Sequence, residues 1–263
     1  MTQFNELILS VINFKKIIII LNTFPVEITW VLFLLFCFSS ILFFLKIFGE
    51  IGLYIYSVIA IIAGNFQVLK IVKFSFFSEP VALGTILFAS TFLCTDILAE
   101  YYGINKAKKN VVIGFMGFLL MTVISLFTLG FKPLAEELAI GDYAWVLNNE
   151  KSLISVLLPL PIFFVASMLA YLSSQYFDIW LFNFISKITS NKYLWLRNNL
   201  STMISSLLDT TVFSIFAFVI FANEPLQIKT VIFTYILGTY ILRIIISLFD
   251  TPFVYLAKYL IKK

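Results

Sequence analysis

A succession of long apolar segments constrains the fold of this chain more than any other feature of its sequence. Seven stretches come close to or exceed the ~20 residues that a helix needs to cross a bilayer. Short polar turns separate most of them, for example residues 48–50 and 102–105. We therefore predict an all-α fold, a polytopic membrane helical bundle of about seven transmembrane helices (a six-helix core plus an N-terminal helix). The expected spans are 28–47, 51–72, 81–101, 110–131, 153–182, 198–221 and 229–257.

The composition agrees with this fold class and limits the chemistry of the chain. The sequence is 61% hydrophobic and 12% charged, with a mean hydropathy of +1.03, far from the values of soluble domains. It contains no histidine, and its two cysteines, Cys37 and Cys94, lie singly in apolar runs. The sequence has no metal-ligand spacing, phosphate-binding loop, dinucleotide-binding glycine pattern or nucleophile elbow. We expect no cofactor, no metal, no nucleic-acid partner and no enzymatic activity.

The first 26 residues differ from the rest of the chain. Lys15 and Lys16 interrupt an apolar run, and placing both at the bilayer centre would cost roughly 5 to 7 kcal/mol. We expect residues 1–26 to form an N-terminal extension that is interfacial or flexible. Residues 27–263 are expected to form a single transmembrane domain.

The charges of the loops predict the orientation of the bundle. Lysines and arginines cluster in the turns after the third and fifth spans and at the C-terminus, whereas the longest opposite loop carries Glu136, Glu137 and Asp142. The positive-inside rule makes the basic side, with the C-terminus, cytoplasmic. The N-terminus is then outside, against which Lys15 and Lys16 argue weakly. The basic side carries Lys106, Lys108, Lys109, Lys187, Lys192, Arg197, Lys258, Lys262 and Lys263.

The sixth span contains a carboxylate at its midpoint. Asp209 lies halfway along residues 197–221, where a charge costs about 2.5 to 3.5 kcal/mol on insertion scales. On a helix Thr202, Ser205 and Ser206 share one face with this acid. We interpret that face as the lining of a polar cavity inside the bundle.

Two further carboxylates lie at the end of the third span. Asp96 and Glu100 are one helical turn apart and face the same way. Glu100 is either functional or an interfacial acid that meets water or Lys106. Asp96 lies deeper, so we expect it to be functional or held in a buried structural pair.

The fifth span carries a stripe of polar residues. Ser167, Tyr171, Ser174 and Asp178 recur at helical spacing, with Gln175 beside them. Such a stripe suits a translocation path, although small hydroxyl residues at this spacing are equally typical of close helix packing.

The last span carries a cation near its middle. Arg243 shares a face with Asp250, and Pro252 follows directly after. Because an arginine cannot lose its proton, Arg243 needs a partner, for which Asp209 and Asp96 are the candidates. A purely structural salt bridge is the alternative. In the second span, Asn65 adds a further amide.

Four runs of the sequence form a longer pattern in a fixed order: FGEIGLYIYSVIAIIAGNFQVLKIV, GTILFASTFLCTDILAEYYGINKAKKNVVIGF, LWLRNNLSTMISSLLDTTVFSIFAF and YILRIIISLFDTPFVYLAK. Together they resemble the queuosine precursor transporter family, also called the vitamin uptake transporter family. The resemblance covers about residues 48–260. It implies a bacterial inner-membrane importer of 7-deazaguanine bases for tRNA modification, such as 7-cyano-7-deazaguanine (preQ0), 7-aminomethyl-7-deazaguanine (preQ1) or queuine.

The resemblance also implies partners and motif residues. The expected partners are the small-molecule substrate and the lipid bilayer, without a dedicated ATPase, and a homodimer through lipid-facing surfaces is compatible with this interpretation. Where many members carry lysine in the last span, this chain has Arg243. The family's motifs map onto Thr95, Asp96, Glu100, Tyr102 and Gly103, onto Arg197, Asn198, Asn199, Ser201, Thr202 and Asp209, and onto Asp250, Thr251 and Pro252.

The chemistry of such a base suggests roles for these residues. A guanine-like base presents two adjacent N–H donors, which one carboxylate accepts with both oxygens. Asp209 or Asp96 is expected to take this edge, while Asn199, Asn65 or Gln175 takes the acceptors. An aromatic residue such as Phe92, Tyr171 or Phe213 is expected to stack on the ring plane. We accordingly expect Asp209→Asn to reduce uptake far more than Asp178→Asn. If import is coupled to protons, Asp209 and Asp96 are the expected carriers.

The sequence thus predicts two groups of site residues. The predicted substrate-binding residues are Asp209, Asp96, Asn199, Glu100, Thr202, Asn65, Gln175 and Arg243. The predicted structural or gating residues are Asp250, Pro252, Asp178 and Arg197.

Two other classes of function compete with this interpretation. The first keeps the solute but makes the chain a substrate-binding membrane subunit of an ATPase-energised vitamin or nucleobase importer, which uptake by this chain alone would exclude. The second is a membrane enzyme, which the lack of histidine, of paired metal ligands and of a nucleophile with its base disfavours.

Overall fold

The computed structural model describes residues 14–77, 80–158, 160–222 and 224–261, which are almost entirely helical. Two of the long helices contain π-helical segments, Phe216–Ile220 and Val231–Leu237. The helices in these ranges are α1 Phe14–Thr23, α2 Val26–Phe48, α3 Glu50–Gln67, α4 Thr85–Tyr101, α5 Ile104–Gly130, α6 Val146–Leu157, α7 Leu160–Ile188, α8 Leu194–Ile220 and α9 Ile228–Leu260.

Five of these helices, α2, α3, α5, α8 and α9, are long and apolar enough to cross a membrane by length and composition. Helix α4, with 17 residues, and helix α7, with 29, lie at the two remaining predicted positions. The prediction of an all-α membrane helical bundle is therefore confirmed.

A short β-hairpin replaces the ends of two predicted spans. Strands β1 Ile71–Val72 and β2 Val81–Ala82 pair antiparallel, so α3 ends and α4 begins several residues away from the predicted limits of 72 and 81. Gly84, with φ of 101°, turns the chain from the hairpin into α4. A Cβ atom there would lie 2.9 Å from the carbonyl oxygen of Gly64, so this position requires glycine.

The fifth predicted span, 153–182, corresponds to parts of two helices. Its first residues belong to α6, and α7 begins at Leu160 and continues to Ile188. Pro161 falls in the first turn of α7, where a proline removes no intrahelical hydrogen bond. The spanning helix therefore starts and ends later than its hydrophobicity alone predicted.

The short connections define two ends of the bundle. Single turns join α2 to α3, α4 to α5 and α7 to α8 at one end, which we call the basic end because Lys106, Lys187 and Lys192 lie there. Lys106 Nζ lies 2.7 Å from Glu50 Oε1 and so connects the starts of α5 and α3. The other end carries the β-hairpin, and we call it the hairpin end.

Helix α4 lies at the centre of the bundle and contacts all six other spanning helices. Almost all of its side chains from Thr85 to Leu98 are buried. Its hydroxyl groups bond to carbonyl groups of the same helix, as when Thr95 Oγ1 donates to the Phe92 carbonyl oxygen at 2.8 Å. Large apolar side chains such as Phe127 instead point outward, as expected for contact with lipid.

Helix α1 is exposed along its whole length at the hairpin end. Thr29 Oγ1 of α2 donates a hydrogen bond to the Leu21 carbonyl oxygen at 3.3 Å. Residues 1–13 lie outside the described residues. The interfacial or flexible character of residues 1–26, and the boundary with 27–263, therefore stay predictions.

Candidate functional site

The predicted site residues lie in three layers along the bundle. Nearest the hairpin end is an ion-pair cavity around Asp209 and Arg243. Below it lies an aspartate cluster, formed by Asp96 on α4, Asp178 on α7 and Asp250 on α9. A basic-end seal of hydrogen bonds from α8 to α4 and α9 completes the series, and it contains Glu100, Arg197, Asn199 and Thr251.

The ion-pair cavity is built around a buried salt bridge between α8 and α9. Arg243 Nη1 lies 2.5 Å from Asp209 Oδ2, and the side chains of both residues are largely buried. Ser174 Oγ of α7 donates to the other carboxylate oxygen at 2.9 Å. Of the two partners predicted for Arg243, the structure pairs it with Asp209 rather than Asp96. Three helices thus meet at one neutralised carboxylate.

A cavity of about 40 Å³ lies beside this salt bridge. Its wall is aromatic on one side, where the Phe218 and Tyr235 rings lie 4.1 Å apart and Phe213 meets Phe218 edge-on at 5.9 Å. Phe88 of α4 lines the opposite part of the wall. Its lining, which combines a few polar groups with aromatic walls, is typical of small-molecule sites.

Two buried polar atoms of residues that line this cavity have no hydrogen-bond partner within the described part of the chain. They are the Tyr171 hydroxyl and Arg243 Nε. Such atoms are rare in folded proteins, because an unmade hydrogen bond costs about 1 to 3 kcal/mol. Gly114 of α5 gives the tyrosine its room, since a Cβ atom there would lie 2.6 Å from the Tyr171 hydroxyl. Both atoms therefore lack a hydrogen-bond partner next to the cavity, within the described part of the chain.

The aromatic wall includes residues that the sequence analysis did not select. Phe218 lies on the π-helical segment of α8, and Tyr235 lies on the π-helical segment of α9. π-helical turns occur frequently at functional sites. Nothing in the hydrophobic pattern marks a π-helix, so the sequence carries no signal for Phe218 or Tyr235. Of the three aromatic residues expected to stack on the base, Phe213 and Tyr171 line the cavity and Phe92 does not.

The aspartate cluster lies deeper in the bundle, and its three carboxylates are at most 1% exposed. Thr202 Oγ1 donates to Asp96 Oδ2 at 3.2 Å, and Asn198 Nδ2 donates to Asp250 Oδ1 at 2.7 Å. Asp178 lies beside Asp96. These acids therefore face one another across α4, α7, α8 and α9.

Two of the predicted amides have structural partners instead of facing the cavity. Gln175 Nε2 donates to Thr91 Oγ1 at 2.9 Å, while its oxygen accepts from Thr95 Oγ1 at 3.0 Å, which ties α7 to α4. Asn65 Nδ2 donates to the Ile61 carbonyl oxygen of its own helix at 2.9 Å. Neither residue is part of the cavity wall.

The basic-end seal is centred on Arg197. This side chain is almost fully buried and forms a salt bridge with Glu100, to which Nε and Nη2 both donate. Its Nη1 donates to the carbonyl oxygens of Asn191 and Lys192 at 3.1 and 3.2 Å. The guanidinium group also lies 5.4 Å above the ring of Phe182. Arg197 therefore joins α4 to the turn between α7 and α8.

Hydrogen bonds to α9 extend the seal. Asn199 Nδ2 donates to Thr251 Oγ1 at 2.7 Å, directly before Pro252. The Tyr101 hydroxyl donates to the Val254 carbonyl oxygen at 3.0 Å. These bonds hold α4, α8 and α9 together at the basic end, so Asn199 and Glu100 are remote from the cavity.

Comparison with known proteins places these layers in a wider context. The family model described as "Putative vitamin uptake transporter" matches residues 82–257, which include all three layers. The chain is 32% identical over 233 residues to a protein of Bacillus subtilis (strain 168) named "Probable queuosine precursor transporter", and the alignment covers 88% of this chain and 94% of that relative. No solved structure matches the chain significantly.

Proposed function

We propose a cargo and a path for this chain, starting from the fact that it belongs to the vitamin uptake transporter family and is a membrane transporter, not an enzyme. The cargo is a 7-deazaguanine base that serves as a queuosine precursor in tRNA modification. The name of the Bacillus subtilis relative and the ion-pair cavity both support this proposal. The cavity is the observation that carries it, because it offers the groups that such a base needs.

The polar groups of the cavity complement the edges of a guanine-like base. Each oxygen of Asp209 already accepts one hydrogen bond and keeps a lone pair for a second. These lone pairs accept N1–H and the exocyclic N–H₂ of the base. Arg243 Nε and the Tyr171 hydroxyl, which lack partners in the described part of the chain, donate to its carbonyl oxygen and ring nitrogen acceptors. They take the role that the sequence analysis gave to Asn199, Asn65 or Gln175.

The aromatic wall provides the remaining contact. A planar base stacks on aromatic side chains with about 1 to 3 kcal/mol per base, largely independent of its substituents. Phe213, Phe218 and Tyr235 offer such a surface beside the salt bridge. Recognition then combines hydrogen bonds along one edge of the base with stacking on one of its faces.

The two ends of the bundle define the path. The cavity lies towards the hairpin end, whereas the basic-end seal closes the other side, an arrangement that fits the outward-facing state of an alternating-access transporter. We assign the basic end to the cytoplasm of a bacterial inner membrane by the positive-inside rule, which makes the C-terminus cytoplasmic. Opening the seal while closing the hairpin end would release the base inside.

Thermal unfolding of the purified chain tests this assignment directly. A ligand that binds only the folded protein raises the melting temperature by mass action, by about 2.7 kcal/mol of stability at 100 times its Kd. We expect stabilisation by 7-cyano-7-deazaguanine, 7-aminomethyl-7-deazaguanine or queuine, less by guanine and none by riboflavin. The Asp209→Asn variant should lose the response, whereas Asp142→Asn, in an exposed loop, should keep it.

A response to riboflavin but not to the deazaguanines would show that the proposed cargo is wrong. If folded protein responds to none of the deazaguanines but to riboflavin, the cargo is a vitamin and the assignment is wrong. Reconstitution of the chain in lipid vesicles tests the energy source of transport independently of the cargo. Uptake by vesicles that contain only this chain excludes the ATPase-energised subunit, while ligand binding without any uptake supports it.

A further inference from the structure

The aspartate cluster holds three buried acids that have no cationic partner among the residues the structure describes. Among the described residues the salt bridges are Lys106–Glu50, Arg197–Glu100 and Arg243–Asp209, and none includes Asp96, Asp178 or Asp250. Three negative charges in one apolar interior would be strongly unfavourable, because each loses its hydration and repels the others. Something other than an arginine or lysine has to neutralise them.

The hydrogen-bond pattern shows where that neutralising group is missing. Asp178 is completely buried, and neither of its oxygens forms a hydrogen bond of good geometry within the described part of the chain, although the Ser201 and Ser205 hydroxyls lie close to it. The Ser205 hydroxyl, also completely buried and also unpartnered there, lies beside it. The adjacent carboxyl group of Asp96 supplies a donor only when a proton is bound, since an ionised carboxylate has acceptors alone.

The chemistry of the cluster favours a proton over a metal cation. No group of three acidic, histidine or cysteine side chains in the described ranges is close enough to ligate one ion. A sodium or calcium site needs several oxygens converging on one point. A proton needs only two neighbouring oxygens, which Asp178 and Asp96 provide.

The charged and titratable neighbours of Asp178 can be named helix by helix. Asp96 faces it from α4, with the Cys94 thiol near Asp96, and Asp250 faces it from α9. Helix α8 contributes only the neutral side chains of Ser201 and Ser205 at this level. The nearest cations on these helices, Arg243 and Arg197, are bound to Asp209 and Glu100 in the layers above and below.

The same helices that carry the cluster also carry the ion-pair cavity. On α7, Ser174 donates to Asp209 and lies one turn before Asp178. On α8, Ser205 lies one turn before Asp209. A shift of α7 or α8 that accompanies substrate binding therefore also changes the surroundings of Asp178.

We propose that Asp178, with Asp96 and Asp250, forms the proton-binding site that couples import of the base to the proton gradient. This inference rests on the proposed function. In the outward-facing state a proton from outside forms an O–H bond on a cluster carboxylate, and after the basic-end seal opens that bond breaks and the proton enters the cytoplasm. One proton accompanies each substrate, and the carboxylate returns unchanged. Asp209, which the sequence analysis favoured as a carrier, is held by Arg243 instead.

Transport by the full chain in sealed vesicles tests the proposal. Vesicles that contain the wild-type protein receive external 7-cyano-7-deazaguanine while the membrane potential is clamped at zero. Their internal pH is either equal to the external pH or more alkaline. An interior that is one pH unit more alkaline should drive accumulation up to about tenfold above the equilibrium level, the limit for one proton per substrate. Asp178→Asn should abolish the accumulation but still exchange internal for external substrate, which replaces the milder effect expected from the sequence. Asp142→Asn should accumulate like the wild type. The two asparagine variants make the same chemical change at a buried and an exposed acid.

Each other outcome has a distinct meaning. Exchange without any effect of pH in the wild type overturns the proton site but leaves the proposed function intact. Accumulation by Asp178→Asn equal to the wild type also overturns it, as does accumulation driven by a sodium gradient alone. Absence of exchange by folded wild-type protein, with every deazaguanine, refutes the proposed function itself. If Asp178→Asn does not fold, Asp96→Asn, whose side chain meets the same proton, takes its place with the same expected loss.

Discussion

The two buried acidic regions of this bundle differ in how their charge is balanced. In the ion-pair cavity, Asp209 has a full counter-charge from Arg243 and a hydrogen bond from Ser174, and it borders an empty volume. In the aspartate cluster, Asp178 is completely buried between α4, α8 and α9, and no cation of the described residues forms a salt bridge with it. A neutral pair beside a cavity suits the recognition of a neutral polar base. An unbalanced acid in a closed interior suits a ligand as small as a proton.

The difference predicts opposite effects of neutralising a charge in the two regions. Arg243→Gln leaves Asp209 buried without its cation, and breaking a buried pair in this way costs about 3 to 5 kcal/mol of folding free energy. Asp178→Asn removes an acid that has no cation, so it should preserve stability or raise it. Thermal and denaturant unfolding in one detergent compares both variants with the wild type.

A double variant tests whether the stability lost in Arg243→Gln comes from the uncompensated charge of Asp209. Adding Asp209→Asn to Arg243→Gln removes the stranded carboxylate and should recover most of the lost stability without restoring ligand binding. If the double variant is as unstable as Arg243→Gln alone, the packing of the arginine, and not its charge, holds α8 and α9 together. If Asp178→Asn is equally unstable, the contrast between the two regions is wrong.

The second prediction concerns access to the two regions and not their charge. Glu100→Gln weakens the salt bridge of the buried Arg197 and should ease opening at the basic end. We expect substrate exchange about fivefold faster, equivalent to ~1 kcal/mol, with unchanged affinity in the thermal-shift assay. Glu50→Gln is the matched control, because its bridge to Lys106 is much more exposed and pairs of that kind contribute little. Equal rates for both variants would mean that Arg197 does not limit opening.

Much of the fold could be predicted from the sequence because hydrophobicity alone determines which segments enter a bilayer. The positions of the seven long helices follow from it. The hairpin between α3 and α4 could not be predicted, since Ile71, Val72, Val81 and Ala82 are as apolar as the spans that they interrupt. Their hydrogen bonds to each other, and not their hydrophobicity, exclude them from the helices.

The site was predictable in its residue types but not in its grouping. Intramembrane charges such as Asp209, Asp178 and Arg243 stand out in an apolar sequence. Which of them pair depends on how the helices are rotated against each other, and spacing within one helix carries no information about that. The sequence therefore left Asp209 and Asp96 as equal partners for Arg243, and it gave no reason to join Asp178 to Asp96.

The smallest expected effect comes from a hydroxyl group at the edge of the cavity. Tyr171 is buried, and its hydroxyl has no partner within the described residues, so Tyr171→Phe removes an unsatisfied donor without creating a void. The ligand-free variant should be as stable as the wild type or more stable. If the hydroxyl binds the base, affinity for 7-cyano-7-deazaguanine should fall about five- to tenfold, the value of one hydrogen bond of ~1 kcal/mol. Tyr176→Phe, on the same helix but facing outward, should change neither quantity. Lower stability with unchanged affinity would mean that the hydroxyl supports the packing of α7 against α5 and does not bind the base.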